Sequence, residues 1–182
     1  MAASKTIGPG EIHAALTRLA DAIASRHADP TGLLLLGIAN GGVELARRLA
    51  ERLRCRAGTV DISFHRDDIG RHPIPKEFAP TQIPADVHGA TIILIDDVLF
   101  SGRTVKAALD ELFDHGRPNK VELAVLVDRG GRLLPIAADY VGIQLAIAAT
   151  HKVKVSLDPL SDRRDSIRVE PALPARTAGP KS

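Results

Sequence analysis

Apolar positions along this 182-residue chain switch repeatedly between helical spacing and short unbroken runs. After Gly8-Pro9, residues Ile12, Leu16, Leu19, Ala20 and Ile23 share one face of a helix that Asp29-Pro30 breaks. Leu33 to Ile38 is a continuous apolar run, the pattern of a central parallel strand. Asn40-Gly41-Gly42 turns the chain, and Val43 to Leu53 gives the next helix. Val60, Ile62 and Phe64 alternate with polar residues and predict a strand with one face more exposed. Ile92 to Ile95 is a second buried strand, followed by a helix with Val105, Leu109 and Leu112 on one face. Gly116-Arg117-Pro118 ends that helix, and Val121 to Val127 is another buried strand. Stretches 139–147 and 152–157 add two more, the latter alternating at Val153, Val155 and Leu157. Strands alternating with helices predict an α/β fold, a central, mostly parallel sheet flanked by helices.

Punctuation sets the expected domain limits. Residues 66–84 hold four prolines and many charges without periodicity, which predicts a long flexible lid loop. From Pro171 onward, three prolines and several alanines carry no core pattern. The expectation is one domain over residues 1–170 and a disordered tail over 171–182.

Composition narrows the class without identifying the chemistry. Hydrophobic residues make up 45%, aromatics only 3%, and the net charge is +2. Such a balance suits phosphorylated ligands and gives no independent nucleic-acid signal. A single cysteine, Cys55, excludes an internal disulfide, and no apolar run reaches the ~18–20 residues of a membrane span. The start also lacks a signal-peptide pattern, so a cytoplasmic location is expected. The seven histidines show no paired metal spacing.

The chemistry concentrates in residues 92–104, Ile-Ile-Leu-Ile-Asp-Asp-Val-Leu-Phe-Ser-Gly-Arg-Thr. A buried strand ends in Asp96-Asp97, and Ser101-Gly102-Arg103-Thr104 then opens a helix. Backbone N–H groups at such a helix start cradle phosphate, with two hydroxyls beside them and a glycine that allows close approach. The two acids repel phosphate, so they suit hydroxyls or a cation. A phosphorylated sugar meets both requirements. Asn40, Asp96 and Asp128 all fall at strand carboxyl ends, where ligands of such sheets bind.

This run resembles the phosphoribosyl pyrophosphate (PRPP) motif of type I phosphoribosyltransferases. The resemblance implies that Ile95, Asp96, Asp97, Val98, Leu99, Phe100, Ser101, Gly102, Arg103 and Thr104 bind PRPP, with the acids along the ribose hydroxyls and the loop on the 5′-phosphate. Ala39-Asn40-Gly41-Gly42 is then placed as the pyrophosphate loop. Arg66, Arg71 and Lys76 stand in the lid, and Arg66 joins Asp96 and Asp97 as an expected catalytic residue. Mg²⁺ is the implied cofactor, reached through PRPP and water near the acid pair rather than by direct ligation.

Further blocks are similar to the PyrR family of pyrimidine-operon regulators. These are Asp96 to Val105, Leu123 to Gly130, Leu133 to Gly142, Ala15 to Ala20 and Asp61 to Phe64. Members are uracil phosphoribosyltransferases, and many bind leader RNA of pyrimidine genes. The resemblance implies uracil contacts at Val127, Asp128, Arg129 and Val153, RNA contacts at Thr17 and Arg18, and a homo-dimer or larger assembly. The implied reaction converts PRPP and uracil into UMP and pyrophosphate, with regulation of pyrimidine genes beside it. Two positions depart from the family. Asn40-Gly41-Gly42 stands where relatives usually carry Thr-Arg-Gly, and Gly131 where they commonly carry histidine. Two other readings stand beside the first: a phosphoribosyltransferase for orotate or a purine, and a nucleotide-sensing, RNA-binding attenuation regulator with weak catalysis.

Overall fold

A computed structural model of the chain describes residues 5–63 and 80–172. Strand β1 (Lys5–Ile7) precedes helix α1 (Pro9–Arg26), and β2 (Leu34–Ile38) leads into α2 (Gly41–Leu53) and β3 (Arg56–Val60). Then follow β4 (Thr91–Leu99), α3 (Arg103–Asp114), β5 (Lys120–Asp128), β6 (Tyr140–Gln144), β7 (His151–Ser156) and β8 (Ser166–Pro171). Strands β3-β2-β4-β5-β6 form one sheet in that order, with every neighbouring pair parallel. The expected sheet is present, and its order fixes where a ligand can sit. The chain builds outward from β2 to β3, then crosses back past β2 to β4. That reversal opens a crevice between the carboxyl ends of β2 and β4.

The sheet divides two cores. One face packs Leu35, Ile93, Ile95, Ala124 and Leu126 against the apolar stripes of α1 and α2. The other packs Leu34, Leu36, Ile92, Leu94 and Val125 against Val105, Ala108 and Leu112 of α3. Runs buried on both faces cannot alternate, which is why β2, β4 and β5 read as continuous apolar segments.

Three features differ from the sequence expectation. Strand β4 continues past Ile95 to Leu99, because β5 pairs with it as far as Leu99–Asp128 whereas β2 pairs only as far as Ile95. Strand β3 covers residues 56–60 rather than the alternating 60–64. Its ladder with β2 ends at Ile38–Val60, and the chain turns at once, with the Ser63 N–H donating to the Asp61 carboxylate at 3.0 Å. Phe64 lies outside the described residues. A second sheet, antiparallel in the order β1-β8-β7, was not expected at all. Its Ile7, Ile167 and Val169 join the first core, with Val153, Val155 and Leu157 packed against it.

Of the expected lid, residues 66–79 lie outside the described residues, as do 1–4 and the tail from 173. The chain re-emerges bound to the sheet. Gln82 exchanges backbone hydrogen bonds with Thr59 at 2.8 and 2.9 Å, and the Asp61 N–H donates to the Thr81 hydroxyl at 3.0 Å. The described ends of this segment therefore meet at the carboxyl end of β3.

At the opposite end of the sheet, Glu122 of β5 is buried beside Tyr140 of β6 and His27, just past α1. Its Oε2 accepts from the Tyr140 hydroxyl at 3.0 Å and meets the His27 ring at 2.7 Å. The Lys120 ammonium stands 2.6 Å from Oε1, an ion pair without hydrogen-bond alignment. Burial alone would raise the Glu122 pKa, but Lys120, His27 and Tyr140 together outweigh it and hold the carboxyl below its ordinary range. A depressed folded-state value contributes stability above the unfolded value of about 4.3, lost as pH falls through the folded value. Glu122→Gln should thus lose about 1–3 kcal/mol at pH 7, with the deficit shrinking below about pH 4. Urea midpoints at the two pH values check this; a deficit independent of pH would contradict it.

Candidate active site

Two glycines let helix α2 rest directly on β4. A Cβ on Gly42 would collide with the Ile95 carbonyl oxygen, and one on Gly41 would stand 2.5–2.6 Å from the carboxylate atoms of Asp97. Gly37 is equally tight, since a Cβ there would lie 2.6 Å from the Gly42 carbonyl oxygen. The turn Ala39-Asn40, with a cis peptide between them, is held by an Ala39 N–H bond to the Val60 carbonyl at 2.9 Å. Asn40 opens α2 without a side-chain cap, so the first N–H groups of the helix face the crevice uncapped.

Across this turn stand the two acids. Asp96 is only 5% exposed, and its Oδ1 accepts from the Asp97 N–H at 2.9 Å. Burial, then the neighbouring Asp97 charge, pushes the Asp96 carboxyl well above the usual range, and burial pushes Asp97 up as well. Among the described residues, no lysine, arginine or histidine forms a resolved ion pair with either acid. Ionising buried Asp96 beside half-buried Asp97, with no opposing charge paired to them among the described residues, costs free energy. A hydroxylic or cationic ligand would relieve that cost.

The expected phosphate loop follows β4. Ser101 Oγ accepts from the Arg103 N–H at 3.3 Å, and Gly102 takes φ +90°, a left-handed conformation that favours glycine. Gly102 opens α3 without a side-chain cap, so a second helix N-terminus points to the same end of the sheet. Arg103 and Thr104 begin that helix. Ile95 and Leu99 are buried, Val98 is half-buried against the first core, and Phe100 is exposed. The structure thus brings the expected PRPP-binding run and the Ala39–Gly42 turn to one crevice. Arg66, Arg71 and Lys76 lie outside the described residues.

The third wall is the loop after β5. Val127 is fully buried, and Val153 of β7 packs against the same core as Val98. Asp128 accepts from the Gly130 N–H at 2.9 Å and from Arg132 Nη2 at 2.6 Å. Burial would raise the Asp128 carboxyl, but the Arg132 guanidinium and the Gly130 N–H hold it below its usual value. Arg129 is buried, its guanidinium carbon 3.9 Å from the centre of the Phe100 ring, with Nε left without a partner. Burial pushes this guanidinium down. Gly131, at φ +79°, backs the same ring, and a Cβ there would stand 2.6 Å from it. In this chain Phe100 therefore occupies the space that a side chain at 131 would need.

Thr17 and Arg18 lie away from this crevice on α1. Thr17 donates to the His13 carbonyl at 3.1 Å, and Arg18 donates to the Gly142 carbonyl of β6 at 2.9 Å. Arg132 was not foreseen from the sequence. The only available signal was an acid and an arginine four residues apart in a glycine-rich loop.

With this geometry in place, similarity to known proteins becomes specific. The family model for the phosphoribosyl transferase domain matches residues 10–159. The chain is 48% identical over 176 residues to the bifunctional protein PyrR of Streptomyces coelicolor, covering 92% of this chain and 90% of that protein. It is 47% identical over 168 residues to the bifunctional protein PyrR of Corynebacterium glutamicum, covering 86% of each. Among solved structures, the hypoxanthine phosphoribosyltransferase of Trypanosoma cruzi superposes with a TM-score of 0.65 over 90% of this chain and 94% of that one. At 19% identity that likeness shows the fold alone.

The uncompensated acid pair generates a stability prediction. A carboxyl whose folded-state pKa is raised binds more protons folded than unfolded, so stability falls as pH climbs from about 4 through the folded value. Asp97→Asn should therefore stabilise the ligand-free protein at pH 8 and gain progressively less toward pH 4. Urea midpoints of both proteins across that range check it. Equal midpoints at pH 8 would show that the pair is not strained by its own charge.

Proposed function

The chain belongs to the phosphoribosyl transferase domain family and, within it, to the PyrR family, and from that premise we propose that it forms UMP and pyrophosphate from PRPP and uracil. The observation that carries this reading is buried Asp96 beside half-buried Asp97, which form no ion pair with any described residue and lie between two helix starts whose N-cap residues supply no side-chain cap. An α-D-ribosyl group bearing a 5′-phosphate and a pyrophosphate fits it from both ends. The 5′-phosphate would take the N–H groups and hydroxyls of Ser101, Gly102, Arg103 and Thr104, and the ribose hydroxyls would reach Asp96 and Asp97. Pyrophosphate would lie along Ala39–Gly42, whose glycines leave backbone N–H groups unobstructed.

Breaking the C1–O bond of PRPP builds positive charge on the sugar, so catalysis is chiefly positioning and electrostatics. The carboxylates of Asp96 and Asp97 would stabilise that charge, and Arg66 would close over the leaving group. Mg²⁺ bound through PRPP oxygens and water would neutralise the departing pyrophosphate. The acid pair fits such a cation, because a positive charge beside it would offset the burial that pushes both carboxyls up. Uracil would stack between Val98 and Val153, with Val127, Asp128 and Arg129 setting the end of its pocket. In-plane recognition of its carbonyl and N–H groups suits backbone donors and acceptors.

The PyrR relatives are bifunctional by name, and the proposal extends to regulation of pyrimidine genes through leader RNA by a homo-oligomer. Arg18 would keep donors free for phosphate beyond the one given to Gly142. A salt-dependent shift of labelled leader RNA, weakened in Arg18→Ala, is the expected result. Unchanged RNA binding in that variant would remove Arg18 from the interface.

Incubation of the protein with PRPP, Mg²⁺ and uracil, orotate, hypoxanthine or guanine in parallel tests the enzyme reading. UMP formation selective for uracil is expected, and selective turnover of another base would contradict it. Asp97→Asn should retain the fold and slow ribosyl transfer at least about a hundredfold, as loss of a charge facing the transition state does. Gly102→Val should abolish PRPP binding, because the left-handed turn is closed to a branched residue and a Cβ there would already stand 3.3–3.4 Å from Leu134 and Ile136. Unaltered PRPP affinity would sink the cradle assignment.

A further inference from the structure

We infer that Arg132 is a positioning residue that locks the phosphate loop and the nucleobase-side loop into one rigid unit. The inference rests on the phosphoribosyltransferase reading and adds to it a residue with no expected role. All three guanidinium nitrogens of Arg132 are engaged, and their partners lie on both loops. Nη1 donates to the carbonyls of Phe100 at 2.9 Å and Leu99 at 3.3 Å, where β4 passes into the phosphate loop. Nη2 donates to the Asp128 carboxylate at 2.6 Å, at the end of β5. Nε donates to the Ile136 carbonyl at 3.0 Å.

Backbone bonds run the same way. The N–H groups of Leu133 and Leu134 donate to the Ser101 carbonyl at 3.0 and 3.1 Å, and the Arg129 N–H donates to the Leu99 carbonyl at 3.2 Å. Leu134 and Ile136 also stand directly against the left-handed Gly102. Loop 128–136 is therefore the floor on which the phosphate loop sits, and Arg132 is the side chain that bolts the two together. With the Leu99 and Phe100 carbonyls accepting from Arg132, the peptide planes that enter the phosphate loop are held in one orientation. The same guanidinium fixes the Asp128 carboxylate and prevents it from swinging into the space of the base. A planar fork is needed to hold four oxygens at set angles, which a lysine ammonium on a flexible stem cannot reproduce.

Arg132→Met and Arg132→Lys, compared with the unaltered protein, test this by steady-state UMP formation and by calorimetric titration of PRPP with Mg²⁺. Both KM values, for PRPP and for uracil, should rise about tenfold in Arg132→Met, with PRPP affinity falling to match and Arg132→Lys intermediate. A residue that merely supports the fold would lower the active fraction, cutting kcat per mole of protein while leaving both KM values and PRPP affinity unchanged. That outcome would overturn the inference, as would a rise confined to one substrate. Should Arg132→Met not fold, Arg132→Lys alone carries the comparison, and substrate parameters equal to the unaltered protein's would overturn it. If the unaltered protein binds PRPP but forms no UMP, the enzyme reading fails, and the PRPP affinities of the variants still decide the role of Arg132. If it neither forms UMP nor binds PRPP, both fail.

Discussion

The close approach of α2 to the end of β4 governs this molecule. Gly41 and Gly42 place backbone where any other residue would place a Cβ, on the Asp97 carboxylate and on the Ile95 carbonyl oxygen. The helix start thereby closes one side of the crevice while leaving its N–H groups at the mouth. Strand β2 stops pairing at Ile95, and β5 continues to Leu99 on the other side. The acid pair sits in the resulting step, covered by α2 yet unpaired on the β2 side. A sheet whose strands all ended level would not create this position.

That step separates two kinds of ligand chemistry by a few residues. On one side are buried Asp96 and half-buried Asp97, unpaired with any cation among the described residues; on the other are helix starts that attract anions. The β1-β8-β7 sheet packs Val153 and Val155 against the first core, beside Val98 of β4. Burial pushes both carboxyls up, so ionising them costs the folded protein stability.

Much of this was legible because buried parallel strands and phosphate loops leave strong local marks. The run 92–104 carried strand, acids, loop and helix in order, and the crevice at the ends of β2 and β4 follows from the alternation of elements. What escaped had weaker marks. Strands β1 and β8 are short, and β8 reads Ser-Ile-Arg-Val-Glu-Pro, with two apolar residues among charges. Only its partners show that Ile167 and Val169 close a core. The β3 expectation followed alternation through Ile62, but an edge strand ends where its neighbour ends, whatever the pattern beyond. Arg132 was invisible for a different reason, since three of its four acceptors are backbone carbonyls and two of those lie more than thirty residues away. No side-chain pattern encodes such contacts.

The central claim is that Asp96 and Asp97 hold the ribose of a phosphoribosyl ligand whose phosphate rests on the 101–104 loop. A crystal structure with UMP bound tests it most directly. The account predicts ribose hydroxyl oxygens about 2.5–3.0 Å from the two carboxylates and phosphate oxygens about 2.7–3.2 Å from the N–H groups of Gly102, Arg103 and Thr104. A nucleotide bound with its ribose away from both acids, or with its phosphate outside that loop, would contradict it.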